Sequence, residues 1–411
     1  MWFICVTDPQ WWLASYGPQV VLKLPTLMFA VLLVVTVIKG PHELLTPFLT
    51  FFVYMVVTLP LSYDRRATFD VTKVIFAYYV LGLATVTLIR QARDAVPFVM
   101  LAMLYQFVWW VALGARHGLV PWHYAYSNYD GYGPLMSLGL VCCFYLGMAI
   151  PKQRKSLRML AFLAAGGCIV GLVSSFARGA ILGAGAVAGW AWLRSRHKFK
   201  TTLLGIGAVG VLFLAANVFF KNETRGESSS FWNEIFSSFN KNDPTRIDRQ
   251  VIWAAALRVY RDNPIIGVGA ETFGEYAADH FSPGQVGGAY AENPKNLWGK
   301  RLHNTYYQIL SEYGTIGAAI FLWMLVDFFR LNRALRRRER LQAWAVRSGG
   351  QLDLAQLSLG LESAMLAWAV TGYFYNLIFS VPWLYALITI NTVLYQLSKP
   401  DPVAPARRAW R

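Results

Sequence analysis

The sequence predicts an all-α polytopic membrane protein with about 11–12 transmembrane helices and one large extracytoplasmic loop containing amphipathic helices. Three observations carry this. The 411 residues are 56% hydrophobic and only 15% charged, too little polar surface to cover a soluble body of that size. Apolar stretches such as Pro25–Val37, Phe48–Leu59, Val74–Ile89 and Phe162–Leu172 lie between closely spaced charges, and each reads as part of a membrane-crossing helix of about 20 residues. Basic residues gather in clusters between such stretches: Lys152 to Arg158, Arg194 to Lys200, Arg330 to Arg340, and Arg407, Arg408 and Arg411. In a soluble chain a net charge of +16 would suggest nucleic acid; here the clusters sit in short loops between apolar stretches, where Lys and Arg mark the cytoplasmic side.

Taken in order, Trp2–Tyr16 is rich in Trp and broken by Asp8-Pro9, which suits an interfacial helix better than a span. The opening Met1-Trp2-Phe3 has no basic region ahead of a short apolar core, so no removable signal peptide is expected. Spans follow near Val20–Ile38, His42–Leu61, Val71–Ile89, Val96–Leu113, Pro134–Ile150, Leu160–Phe176, Gly179–Leu193, Thr202–Phe219, Tyr306–Phe329, Ser358–Phe379 and Pro382–Leu397. The chain divides into N-terminal helices (1–176), a helix pair after the Arg178 turn (177–219), the large loop (220–305), and C-terminal helices with a basic tail (306–411). With the strongest basic clusters inside, the loops after Leu113, Phe176, Phe219 and Phe379 face outward; Arg65-Arg66 is the exception among short loops.

The outward segment Arg116–Gly133 carries Trp122, His123, Tyr124, Tyr126, Tyr129 and Tyr132, a mix that suits the membrane interface or stacking on sugars. In the large loop, Asn222–Asn242 is polar and reads as mobile. Asp243-Pro244 then starts a helix, a cap oxygen followed by proline, with Ile247, Val251, Ala254, Ala255 and Val259 at helical spacing until Asn263-Pro264 ends it. That helix is expected along the membrane surface. The Gly183-x-Gly185 and Gly185-x-x-x-Gly189 spacings read as close helix packing. All four cysteines lie in or beside apolar stretches, so neither a disulfide framework nor a Cys/His metal site is expected.

The chemistry is expected at the loop's membrane edge. Lys23, Glu43, Lys73, Glu312, Asp327 and Glu362 fall within a turn or two of the ends of the expected spans, which argues against an ion-coupled transporter. Arg178 is held in a tight turn between two spans, Arg249 sits early in the loop helix, and His303 directly precedes the next span. Taken singly, these could be a snorkelling anchor, a solvated helix face and a structural histidine. Together they lie at one depth on one face. Two guanidiniums offer bidentate, permanent charge to a diphosphate, and a neutral imidazole can take a proton from a sugar hydroxyl. No Asp-x-Asp occurs, so the arginines would stand where a metal otherwise holds the diphosphate. Arg246, Trp253, Arg301, Asn304 and Tyr307 are candidate substrate-binding neighbours, with no metal site among them.

Three stretches, Ser174–Leu182 (SSFARGAIL), Arg249–Phe273 (RQVIWAAALRVYRDNPIIGVGAETF) and His303–Gly317 (HNTYYQILSEYGTIG), resemble the successive signatures of the O-antigen ligase and O-antigen polymerase superfamily. The resemblance covers roughly a third of the chain, in the family's order. It implies a GT-C-like membrane glycosyltransferase of the bacterial inner membrane that works at the periplasmic face without a cofactor. The implied donor is an undecaprenyl diphosphate-linked glycan, and the implied transfer inverts the anomeric centre. Arg178 and Arg249 match the arginines that engage the donor diphosphate, and His303 the histidine that activates the acceptor; Arg246 has no counterpart, and Glu271 and Glu312 are expected to be structural. Lipid A-core is the favoured acceptor, because one long loop follows the Arg178 turn. Another glycan (polymerisation) or a protein hydroxyl are the alternatives, and a lipid-glycan transporter is the reading from a different class.

Overall fold

The computed structural model describes residues 40–117, 129–175, 177–194, 244–378 and 383–400, with scattered positions between 198 and 210. The expected Trp2–Tyr16 and Val20–Ile38 helices, the polar segment Asn222–Asn242, most of the Thr202–Phe219 span and Trp122 to Tyr126 lie outside the described residues. The described elements are helices and turns, with no strand among them. In chain order the α-helices are α1 (Thr46–Thr58), α2 (Arg65–Leu88), α3 (Ala92–His117), α4 (Tyr129–Ala149), α5 (Lys155–Ser174), α6 (Arg178–Arg194), α7 (Pro244–Asp262), α8 (Phe273–His280), α9 (Thr305–Leu335), α10 (Arg338–Arg347), α11 (Leu354–Gly372) and α12 (Trp383–Leu397).

Six stretches among the described residues are long and apolar enough to cross a membrane: His42–Leu61, Arg65–Leu88, Tyr132–Ala149, Lys155–Val173, Thr305–Leu335 and Leu354–Gly372. The chain is a polytopic helical membrane protein. The spans expected at Val96–Leu113, Gly179–Leu193 and Pro382–Leu397 are also helical, as α3, α6 and α12. In the expected outward segment 116–133, α4 already begins at Tyr129, and Tyr132 is buried in the bundle.

Local chemistry sets the helix starts. The Asp64 carboxylate accepts from the Arg66 and Ala67 amides at 2.8 and 3.1 Å, and Asp353 caps Ala355 and Gln356 in the same way. Stacked rings then join α1, α2 and α12: Tyr385 lies between Phe48, at 4.7 Å between centroids, and Tyr78, at 5.3 Å.

Glycine packing is real but shifted from the expected positions. A Cβ on Gly179 would overlap Phe374 and one on Gly183 would overlap Thr371, so α6 presses on α11 and the turn that follows it through glycines four apart. Gly185 and Gly189 face open space. Residues 183 and 185 stand about 200° apart around the helix, so only the 179/183 stripe can meet α11.

Helix α9 is not one rod. At Gly314 (φ 63°, ψ −166°) the backbone leaves helical geometry. The carbonyls of Ser311 and Glu312 accept instead from Val268 and Gly269, and the amides of Thr315 and Ile316 donate to Pro264 and Ile265. The segment 264–269 therefore replaces the helix's own hydrogen bonds across the break. Contact this close needs glycine on both sides: a Cβ on Gly314 would overlap the Ile265 carbonyl, and one on Gly267 (φ +71°) would overlap Glu312. The expected Tyr306–Phe329 span thus becomes a short arm, Thr305–Tyr313, and a crossing segment, Thr315–Leu335. The latter is about 31 Å long, matching the hydrocarbon thickness. Gly314→Ala is expected to lower stability by at least about 2 kcal/mol, from positive φ and overlap together. Gly185→Ala should be neutral. Thermal unfolding in detergent measures both, and equal midpoints for the two variants would refute the account of the break.

One expectation about charge changes. Helix α11 starts at Leu354 and not near Ser358, so Glu362 lies near the helix's middle. It is not left bare: Arg336 Nη1 reaches it at 2.5 Å and Arg194 Nη1 at 2.9 Å, with Asn332 and Ser358 also bonded to Arg336. The carboxylate ties the ends of α6 and α9 to α11, the paired arrangement a buried charge requires.

Candidate active site at the junction of two helix N-termini

Residues 244–304 have a small core of their own. Ile252, Ala255, Ala256 and Val259 of α7 pack with Phe273, Ala277 and Ala278 of α8 and with Phe281, Tyr290, Leu297 and Leu302. The buried face of α7 is therefore 252/255/256/259. Of the positions in the expected pattern, Ala254 is exposed and Ile247 is 42% exposed. Periodicity identified the helix, and its apolar face packs on the loop's own core.

Three pieces of chain converge on one segment, Tyr373–Leu377. The first is the turn before α6. Ser175 Oγ accepts from the Ala177 amide and donates to the Leu172 carbonyl, and Gly133 of α4 closes against Ala177. This fixes Arg178 as the first residue of α6, with Gly179 seated on Phe374 and Tyr375. Arg178 is half-buried.

The second is the approach to α9. Asn304 caps this helix by accepting from the Tyr306 and Tyr307 amides at 2.9 and 3.1 Å. Its own amide donates to Asn376 Oδ1, and its Nδ2 donates to the Tyr373 carbonyl. Thr305 Oγ1 donates to the Tyr375 carbonyl and accepts from the Leu377 amide. His303 is thereby held half-buried at φ +48°, a left-handed conformation that costs about 1–2 kcal/mol for a non-glycine residue.

The third is α7. Trp253 Nε1 donates to the Leu302 carbonyl at 2.8 Å, its ring stacks on Tyr307 at 5.4 Å, and it meets Tyr373 edge to face at 5.3 Å. Arg249 stands one turn earlier on the same side of the helix and is half-buried, whereas Arg246 is exposed.

The flanks bearing Arg178, Arg249 and His303 thus meet around a single turn, with the N-termini of α6 and α9 directed at it. Two guanidiniums and two positive helix ends make the junction suited to an anion carrying several charges. Trp253 and Asn304 use their side-chain polar groups to hold the junction, and Tyr307 adds its backbone amide and its ring. Arg301 lies beside Glu271 (Nε to Oε2, 3.8 Å).

Glu271 is the other non-glycine residue with positive φ among those described, at +55°. Burial pushes its carboxyl above the usual range, against the pull of Arg301 and a hydrogen bond from Gln308. Gln308 Nε2 bridges Glu271 and the buried Glu312, at 3.4 and 3.1 Å. Among the described residues no group of three His, Cys, Asp or Glu side chains could hold a metal ion.

The element missing from the sequence reading is Tyr373–Leu377, which was expected inside the Ser358–Phe379 span. Helix α11 instead ends at Gly372. The signal for it is modest: a glycine, three aromatics in a row and Asn376, with no helical stripe among them.

Residues 163–322 match the family model described as O-Antigen ligase. The match contains Arg178, Arg249, the 264–269 segment, His303 and the break at Gly314, and it stops short of Tyr373. No curated protein matches the chain. Residues 163–322 therefore form a segment of the O-antigen ligase family type.

Proposed function

We propose that this protein transfers a glycan en bloc from undecaprenyl diphosphate to an acceptor hydroxyl, with lipid A-core as the acceptor, at the periplasmic face of the inner membrane. The observation that carries the proposal is the meeting of the Arg178, Arg249 and His303 flanks around Tyr373–Leu377, at two helix N-termini. The family match supports glycan transfer of the ligase and polymerase type in general.

In the proposed reaction the arginines dock the diphosphate and take up charge as it leaves, so no metal is needed for that role. The acceptor oxygen attacks the anomeric carbon as its proton passes to the His303 imidazole. A C–O bond forms on one face while the bond to the diphosphate oxygen breaks on the other. The electron pair departs with undecaprenyl diphosphate, and the anomeric centre inverts.

Purified protein should be given lipid-linked glycan with lipid A-core or with no second acceptor. Product that forms only with the core is the expected result. A ladder without it would identify a polymerase, and no product under either condition would reject transfer.

A further inference from the structure

Resting on the transfer reading above, we infer that Tyr373 is the stacking platform for the sugar ring attached to the donor diphosphate, and so a specificity-determining residue outside the family-matched segment. Tyr373 is the residue at which the three flanks of the junction meet. Its carbonyl accepts from Asn304, the residue after His303, at 2.9 Å. Its ring meets Trp253, one turn beyond Arg249, at 5.3 Å. It also meets Phe374 at 5.2 Å, and Phe374 underlies Gly179 beside Arg178.

Although it contacts Asn304, Trp253 and Phe374, Tyr373 is 44% exposed. The neighbouring Trp253 has its only side-chain polar atom committed to Leu302, so what it adds beside Tyr373 is apolar ring surface. A diphosphate held between the Arg178 and Arg249 flanks, with its anomeric carbon within reach of His303, brings the first sugar ring past this exposed aromatic. The C–H face of a pyranose is apolar and flat enough to lie on a ring, while its hydroxyl rim stays in water.

The alternative occupant of this exposed aromatic surface is the polyprenyl chain, and the two respond differently to substitution. Hydrocarbon packs as well on Leu as on Tyr; a sugar face needs a ring. Tyr373→Phe, Tyr373→Trp and Tyr373→Leu are to be compared by direct binding of two probes in lipid nanodiscs: undecaprenyl diphosphate bearing one pyranose, and bare undecaprenyl diphosphate. Neither measurement depends on turnover, so a failure of the transfer assay and a failure here are separate results.

The expected result is that wild type, Phe and Trp variants bind the glycosylated probe roughly three- to tenfold more tightly than the bare one, and that Leu loses this preference while holding the bare probe unchanged. Three results would overturn the assignment: a Leu variant that keeps the preference, a Phe variant that loses it, or a Leu variant that loses both probes equally. The last would mean that the Tyr373 ring only packs the junction against Trp253 and Phe374.

Discussion

Arg178→Lys and Arg249→Lys are each expected to retain little transfer activity, and the alanine variants to lower kcat/KM by roughly 10²–10³-fold. The reason is geometric. Arg178 begins α6 on a turn clamped by Ser175 and Gly133, with Gly179 pressed on Phe374, so its Cα cannot shift to help a shorter-reaching substitute. A lysine there keeps the charge and loses the planar fork that grips two oxygens at once. The side chain is half-buried beside a helix N-terminus, where solvent screening is reduced and a departing diphosphate gains most from fixed donors. The check is steady-state kinetics with lipid-linked donor. Wild-type rates in both lysine variants would remove the diphosphate-clamp argument, whereas loss at Arg178 alone would leave Arg249 as a solvated helix residue.

Those two arginines illustrate what a sequence can disclose. The place of Arg178 at the first turn of a helix was legible because two apolar stretches abut with no room for a loop. Arg249 was legible because Asp243-Pro244 starts a helix and fixes its turn. The break in α9 was not: nothing within residues 305–335 announces that Ser311 and Glu312 give their carbonyls to Val268 and Gly269, some 40 residues earlier in the chain. Gly314 alone reads as a tolerated helical glycine.

Likewise, periodicity reveals that α7 has an apolar face but not whether that face meets lipid or the small core of α8. Tyr373–Leu377 was absorbed into a span because an aromatic run is as apolar as a helix end. Its role as a hub exists only through Asn304, Thr305 and Gly179, all distant in sequence. The left-handed backbone of Glu271, a half-buried carboxyl facing Arg301, is likewise invisible to periodicity.

His303 allows the sharpest separation of docking from chemistry. Its replacement is expected to reduce kcat by roughly 10²–10⁴-fold while leaving donor affinity nearly unchanged, because an imidazole that takes the acceptor's proton acts chiefly in the transition state. Alanine is an imperfect probe here, since φ +48° strains any residue with a Cβ and could loosen the turn that Asn304 anchors. Asparagine adopts that conformation more readily and carries no group basic enough to accept the proton, so His303→Asn removes the chemistry and spares the backbone. Slow turnover with intact donor binding in both variants would identify the base. Slow turnover in Ala with recovery in Asn would assign His303 to shaping the turn. An equal fall in donor binding and turnover would make it a third docking group, and the proton would need another acceptor near Tyr373.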